Sequence, residues 1–302
     1  MTYTETKVRN GRSYHYRTMS TRVEGKVRKK RIYLGRDLPP ELLERLESEA
    51  DLKLSDPDGL LESDELDKLN AIARRYREHP SDTHDIRHMD FLIRFTHDST
   101  AIEGNTLTLG ETRSLIVDGI TPSSKAMREI HEVIGHGKAF DRMFHHKGKM
   151  ERKWLSELHT ILMENILGTG PGEKAGRYRR VNVALKGSNV EFPHYSTVPE
   201  RMRDLLSWYN RKSGTLHPLI AAARFHVEFE VIHPYTDGNG RLGRLLMNQI
   251  LHERDFPMVN IPKRNKVEYF LSLRKAHESG DMRPFIELLI HLLQTHSSDL
   301  KV

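Results

Sequence analysis

The stretch Val231-Ile-His-Pro-Tyr-Thr-Asp-Gly-Asn-Gly-Arg-Leu-Gly-Arg-Leu-Leu-Met-Asn248 joins two helical segments through a chemically dense turn. The apolar run before it must end at His233, because a residue preceding proline is pushed out of helical space. Asp237-Gly-Asn-Gly240 then reads as a tight turn, and Gly238 and Gly240 let backbone amides approach a ligand closely. A new helix starts near Gly240 with Leu242, Leu245, Leu246 and Ile250 on one buried face. The free N–H groups of its first turn and its dipole make an anion site. Arg241 and Arg244 lie three apart and are expected in the same quadrant, where two guanidinium forks suit a polyphosphate. Asp237 is a candidate Mg²⁺ ligand, since that ion usually takes one or two carboxylates plus substrate phosphates. His233, just upstream, is the candidate general base. Taken singly each element is a common structural feature; the order of all of them at one helix start points to chemistry.

Outward from this turn the chain is mainly α. Helices are expected over 60–77, 86–100, 109–119, 125–146, 153–167, 198–211, 217–232, 240–253, 267–279 and 284–294, with Gly or Pro at most joints. Pro39-Pro40 opens another, whose Leu42, Leu43 and Leu46 follow helical spacing. Residues 176–193 resist helix: Val181, Val183 and Leu185 alternate before a turn-like Lys186–Asn189, which predicts a short β-hairpin inside the helical body. A second hairpin is expected at the start of the chain, from Ser13–Ser20 and Lys26–Leu34 with Glu24-Gly25 as its turn. At 302 residues the chain predicts two domains or one large domain with an appendage. The divisions expected are a basic β-hairpin head over 1–36, a helical connector over 37–88 and the main domain over 89–296.

Hydrophobic residues make up 37% and charged residues 30%, which excludes a disordered or collagen-like chain. With no cysteine, disulfides, thiolate catalysis and Cys-ligated zinc are excluded. No transmembrane run or signal-peptide core is evident, so a soluble, cytoplasmic protein with no membrane contact is expected. The net charge of +6 is uneven. Residues 1–36 hold eleven Lys/Arg against two acids, +9, which leaves −3 for the other 266. A basic head favours nucleic acid, an anionic surface or an acidic protein, but charges that protect strand edges explain it equally well.

Other motifs fail on spacing. His131-Glu-Val-Ile-Gly-His136 is one residue too long for a zinc-protease pair and puts its imidazoles on different helix faces. His84 and His88 share a face but lack a third ligand. Gly168-Thr-Gly-Pro-Gly-Glu-Lys174 departs from a phosphate loop at Glu173 and Ala175.

The run His233–Arg244 resembles the signature of the Fic-domain family, His-Pro-Phe-x-Asp/Glu-Gly-Asn-Gly-Arg-x-x-Arg, with Tyr235 as a conservative departure. Ala175–Arg180 and the hairpin after it are similar to the family's flap, and Arg274–Phe285 to its closing helices, so the likeness spans about residues 90–295. Ser99-Thr-Ala-Ile-Glu103-Gly104-Asn105 is similar to the inhibitory pattern Ser/Thr-x-x-x-Glu-Gly/Asn of the subgroup with an N-terminal inhibitory helix, here near 86–104. The resemblance implies a Fic-type helical bundle with a β-hairpin flap. It implies a protein adenylyltransferase that moves AMP from Mg-ATP to a Ser, Thr or Tyr hydroxyl of a target protein, with ATP and Mg²⁺ as cofactors.

Carried over by position, His233 would take the hydroxyl proton and Asp237 would hold Mg²⁺. Gly238, Asn239 and Gly240 would form the anion hole, followed by Leu242 and Gly243 along the nucleotide. Arg241 would bind the β-phosphate and Arg244 the γ-phosphate. Leu185, Lys186, Gly187 and Ser188 of the flap would cover the nucleotide, and Tyr269 would lie by the adenine. Glu278 stands where the family has an asparagine. Glu103, with Ser99 and Gly104, would inhibit by pairing with Arg244. The alternatives are removal of AMP from a modified target at the same site, transfer of a different donor group, or a nucleic-acid-binding regulator with a Fic body. A homodimer is a further expectation from the resemblance.

Overall fold

The computed structural model describes residues 2–23, 26–56, 59–78, 84–166, 174–184 and 191–299. A three-stranded antiparallel sheet opens the chain, in the order β1 (Thr2–Arg9), β2 (Arg12–Val23), β3 (Lys26–Arg36). The expected hairpin is therefore one strand short. β1 pairs with β2 from Thr2↔Met19 to Arg9↔Arg12, and Asn10-Gly11 closes the turn with φ of +50° and +71°. Asn-Gly takes up two left-handed residues at low cost, and such a turn matches strand twist. That dipeptide, beside the alternating Thr2–Val8, is the signal the hairpin reading missed.

The sheet is fastened to the first helix by charge. Arg17 of β2 grips Asp51 of α1 (Pro40–Ser55) with two bonds, one of 2.7 Å from Nε, and Thr4 donates to Glu47. Part of the head's positive charge is thus spent on docking it.

The remaining helices are α2 (Ser63–Glu78), α3 (His84–Ile102), α4 (Leu109–Arg113), α5 (Met127–Phe144), α6 (Arg152–Leu162), α7 (Val198–Lys212), α8 (Pro218–Ile232), α9 (Asn239–His252), α10 (Lys266–Ser279) and α11 (Arg283–Asp299). The expected mainly helical class holds. The segment expected as one helix over 109–119 instead widens into a π-turn over Ser114–Asp118, which Gly119 ends at φ +70°. α8 is apolar nearly all round, with Leu219, Ile220, Phe225 and Phe229 fully buried, so it runs through the core with α7, α9, α10 and α11 packed on it. α9 packs back along α8, which puts the connecting loop at one end of the buried pair. α5 reaches the same end from the other side, packed on α3, α6 and α9. At Gly135 a Cβ would stand 2.7 Å from the carbonyl oxygen of Leu162, so the missing side chain sets how close α5 and α6 come. His136 is buried in the α3–α5 contact and bonds Thr96 Oγ1 at 3.0 Å. Among the described residues no helix is long and apolar enough to cross a membrane.

Candidate active site

The loop from His233 to Gly238 is shaped by bonds that local sequence supplies only in part. α8 stops because His233 turns left-handed at φ +48°, while its N–H still donates to the Phe229 carbonyl at 2.9 Å. Arg179 holds it there. Its Nε donates to the His233 carbonyl (2.8 Å), Nη1 to that of Val181 (3.0 Å) and Nη2 to that of Pro193, and its own N–H reaches the Pro234 carbonyl (2.9 Å). One buried guanidinium thus ties both sides of the flap to the loop. Farther on, the Asn239 side chain accepts from the Tyr235 N–H (2.9 Å) and donates to the Tyr235 carbonyl (2.8 Å). That amide braces the turn, so an anion would meet the backbone of Asn239, not its side chain.

α9 begins at Asn239 behind Gly238, whose φ is +80°, and its first N–H groups have no acceptors within the helix. His159 of α6 stacks on Tyr235 with ring centroids 3.7 Å apart. Its Nδ1 accepts from the Gly176 N–H (2.7 Å), so the proton sits on Nε2 and is donated to the Asp237 carbonyl (3.0 Å). Burial pushes His159 down to about 4, keeping it neutral in this role.

The two arginines diverge. Three residues at about 100° each leave them roughly 60° apart, not superposed. Arg241 turns to α5, with Nη2 3.1 Å from Asp237 Oδ1 and Nη1 3.6 Å from Glu132 Oε1. Arg244 turns to α3 and is wholly buried. Its Nε donates to Ser99 Oγ (3.0 Å), and Nη2 donates to the Ser99 carbonyl and to Glu103 Oε1 (2.8 Å each). Nη1 lies 3.4 Å from the Tyr269 hydroxyl. A buried cation needs such partners, because an unpaired one is strongly unfavourable. Glu103 and Gly104 fall in the turn just after α3, and the Glu103 carboxylate lies directly over Gly240. In this arrangement it covers the helix N-terminus where an anion would sit.

The His233 ring lies flat on Phe192, centroids 4.2 Å apart, with Nδ1 3.8 Å from Glu230 Oε2. Burial pushes the imidazole down to about 4, partly offset by the Glu230 main-chain carbonyl, so at neutral pH it is neutral and keeps one ring nitrogen's lone pair free of a proton. Asp237 stands at the rim with its side chain 36% exposed. Oδ1 is held by the Gly238 N–H (2.6 Å) and Arg241, and Oδ2 is met by the exposed Arg128 at 2.9 Å. A part-exposed carboxylate beside the free N–H groups of a helix N-terminus fits Mg²⁺, whose other ligands would be substrate phosphates and water.

Residues 149–251 match the model of the Fic/DOC family. Those residues form a Fic domain. The chain is similar to the protein adenylyltransferase fic-1 of Caenorhabditis elegans, 36% identical over 194 residues that cover 64% of this chain and 38% of that protein. It is also similar to the protein adenylyltransferase Fic of Drosophila melanogaster, 35% identical over 195 residues covering 63% and 38%. The chain therefore spans about 38% of the length of these curated relatives. Among solved structures, Fic-1 from C. elegans superposes with a TM-score of 0.70 at 28% identity, covering 87% of this chain and 77% of that one. A Fic family protein from Desulfovibrio desulfuricans G20 gives 0.66 at 29%, covering 79% and 76%.

The structure brings His233, Asp237, Gly238, Asn239, Gly240, Arg241 and Arg244 of the matched residues together with Ser99 and Glu103, which precede them in the chain. Leu242 and Gly243 are buried in α9, and Gly243 packs against Glu230. Tyr269 is buried too, its hydroxyl 2.8 Å from His226 Nε2, so it faces the Arg244 cluster. Glu278 is exposed near the end of α10. Of the flap, an antiparallel bridge joins Ala184 to Glu191; Leu185, Lys186, Gly187 and Ser188 lie outside the described residues. Sequence reading gave no role to Arg179, His159, Arg128 or Glu230. Arg179 sits in the Ala175–Arg180 run that is similar to the family's flap, but the others carry no local signal.

Proposed function

We propose that this protein is an adenylyltransferase that moves AMP from ATP to a Ser, Thr or Tyr hydroxyl of a target protein, and that Glu103 holds it inactive. The observation that carries this reading is the loop itself, in which a neutral imidazole, a rim carboxylate and a helix N-terminus lie together with a buried arginine to either side. The relatives named protein adenylyltransferases support it.

The hydroxyl would give its proton to His233 and attack the α-phosphorus, breaking the bond to the β-phosphate so that pyrophosphate leaves. Backbone N–H groups at the start of α9 would receive phosphate oxygens, Arg241 the β-phosphate and Arg244 the γ-phosphate. Such catalysis is positioning plus electrostatic stabilisation in a site ready before the substrate arrives. Asp237 would hold Mg²⁺, and the bound ion would supply positive charge against the phosphates. For that, Arg128 must release Oδ2, which is a small cost for an exposed ion pair. The flap, pinned by Arg179, would lie beside an extended target segment and register it by strand addition.

The deciding experiment is mass spectrometry of the protein incubated with ATP and Mg²⁺, wild type beside Glu103→Gly. Added AMP on the variant supports the reading. A variant that binds ATP yet shows no adduct on itself or on any protein of a cell extract overturns it.

A further inference from the structure

Glu230 lies on α8 one turn before His233, and no step above uses its carboxyl group. Its Oε1 is sealed from solvent without a hydrogen-bond partner and rests against Gly243, where a Cβ would stand 2.6 Å away. Its Oε2 is 3.8 Å from His233 Nδ1, which is also sealed and without a partner. Unpaired buried polar atoms are costly, and they persist chiefly where function needs them. Here the carboxyl group and the ring beside it each carry one such atom, and the ring is the group that receives the substrate's proton. Phe192 stacks on the ring and Arg179 holds the His233 carbonyl, so the imidazole can rotate toward Glu230 without moving its backbone.

We infer that Glu230 is the positioning residue of the base: its carboxyl oxygen accepts the Nδ1–H of His233 and leaves Nε2 bare toward the incoming hydroxyl. The inference rests on the reading of His233 as the base. When the hydroxyl O–H breaks, its proton goes to Nε2, and the positive charge that forms on the ring is shared with the carboxyl group at Nδ1–H. A histidine whose far nitrogen donates to a fixed oxygen has a set tautomer, and once that oxygen belongs to an ionised carboxylate the near nitrogen is also a stronger base.

The groups facing this carboxyl are His226 of its own helix and His233 at that helix's end, Arg244 of α9, Glu103 of the turn after α3 and Tyr269 of α10. Burial pushes Glu230 up to about 8; Arg244 pulls it down and Glu103 pushes it further up. It is therefore uncharged at neutral pH and ionises as pH rises through about 8. The Glu230 main-chain carbonyl also faces the ring and is the competing acceptor.

Two substitutions separate the two acceptors. Glu230→Gln keeps an oxygen but removes the charge; Glu230→Leu removes both. The ¹⁵N spectrum of the full chain, with His233 assigned by its loss in His233→Ala, reads the tautomer without any reaction. We expect Nδ1–H in wild type and in E230Q, and a mixed or Nε2–H ring in E230L. Transfer should fall roughly 10–100-fold in E230L at unchanged KM for ATP. The wild-type rate should rise through pH 8, and E230Q should lack that rise. If E230L melts like wild type yet keeps Nδ1–H and its rate, the main-chain carbonyl suffices and the inference is overturned. If E230L does not fold, E230Q decides: a persisting rise through pH 8 overturns it equally. A tautomer that responds to E230L in a protein without transfer activity would sink the proposed function but leave the ring's orientation assigned.

Discussion

The carboxylate of Glu103 and the guanidinium of Arg244 meet at 2.8 Å across 141 positions of the chain, at the point where α9 begins. Ser99 takes the same guanidinium through its hydroxyl and its carbonyl. The end of α3 is therefore clamped over the anion site by the charge that a triphosphate would need. On the proposed function, nucleotide and Glu103 would compete for one cation, which would make a two-state device of the clamp.

Removing the acid should shift that balance. Glu103→Gly frees Arg244 and uncovers Gly240, and transfer should rise on the order of 5- to 150-fold, the span of ordinary coupling free energies. The measurement is ³²P incorporation from α-labelled ATP. A rate no higher than wild type would mean that Glu103 does not inhibit. The same variant leaves a buried cation without its carboxylate, so it should melt lower, and ATP should restore its midpoint more than it raises that of wild type.

His233→Ala should separate chemistry from binding. Among the described residues the imidazole makes no hydrogen bond to the α9 turn, so ATP affinity by calorimetry should stay near wild type while transfer vanishes. Equal loss of both would place His233 in the scaffold.

Packing of α5 on α6 supplies a prediction remote from the chemistry. Gly135→Ala would press a methyl group against the Leu162 and Ile161 carbonyls, 2.7 and 3.1 Å away, and neither can yield without moving α6. Overpacking of this kind costs about 1–3 kcal/mol. Denaturant unfolding should show that loss, and an unchanged midpoint would mean that α6 shifts freely.

Acid should unfold the protein through its buried histidines. Burial pushes His159, His217 and His233 down to about 4 and His226 to about 3, against an ordinary 6.5. Between these values the unfolded chain binds protons that the folded one refuses. Stability is thus full above 6.5 and falls as pH drops toward 4, by up to about 1.4 kcal/mol per pH unit for each group. Glu230 works in the opposite direction. Its raised value means the folded state keeps a proton the unfolded chain has lost, so stability also declines as pH climbs from the ordinary carboxyl range to about 8. Urea midpoints across pH 4–9 should therefore peak at an intermediate pH. A flat profile below 6.5 would show that these histidines are not buried neutral.

How much of this was readable before folding varies by residue. The helices around the Asp237–Gly240 turn, and its position, follow from Pro234, two glycines and an apolar spacing of three and four, all of them neighbours in the chain. The β2–β3 hairpin was equally local and was read, but β1, carried by Asn10-Gly11, was not. The π-turn after Arg113 left no trace in its residues.

Short-range sterics and hydrogen bonding decide where a helix stops and which amides it leaves free, so the primary structure already contained the anion site and the histidine before it. Which charge meets which is another matter. Arg241 and Arg244 look interchangeable as letters three apart, yet one is bound to Asp237 and Glu132 and the other to Ser99, Glu103 and Tyr269. Arg179 becomes a clamp, His159 a brace and Glu230 an unpaired acid only once distant segments close around them. A buried charge takes whatever partner the packed helices bring within about 4 Å, and that distance exists only in the folded chain.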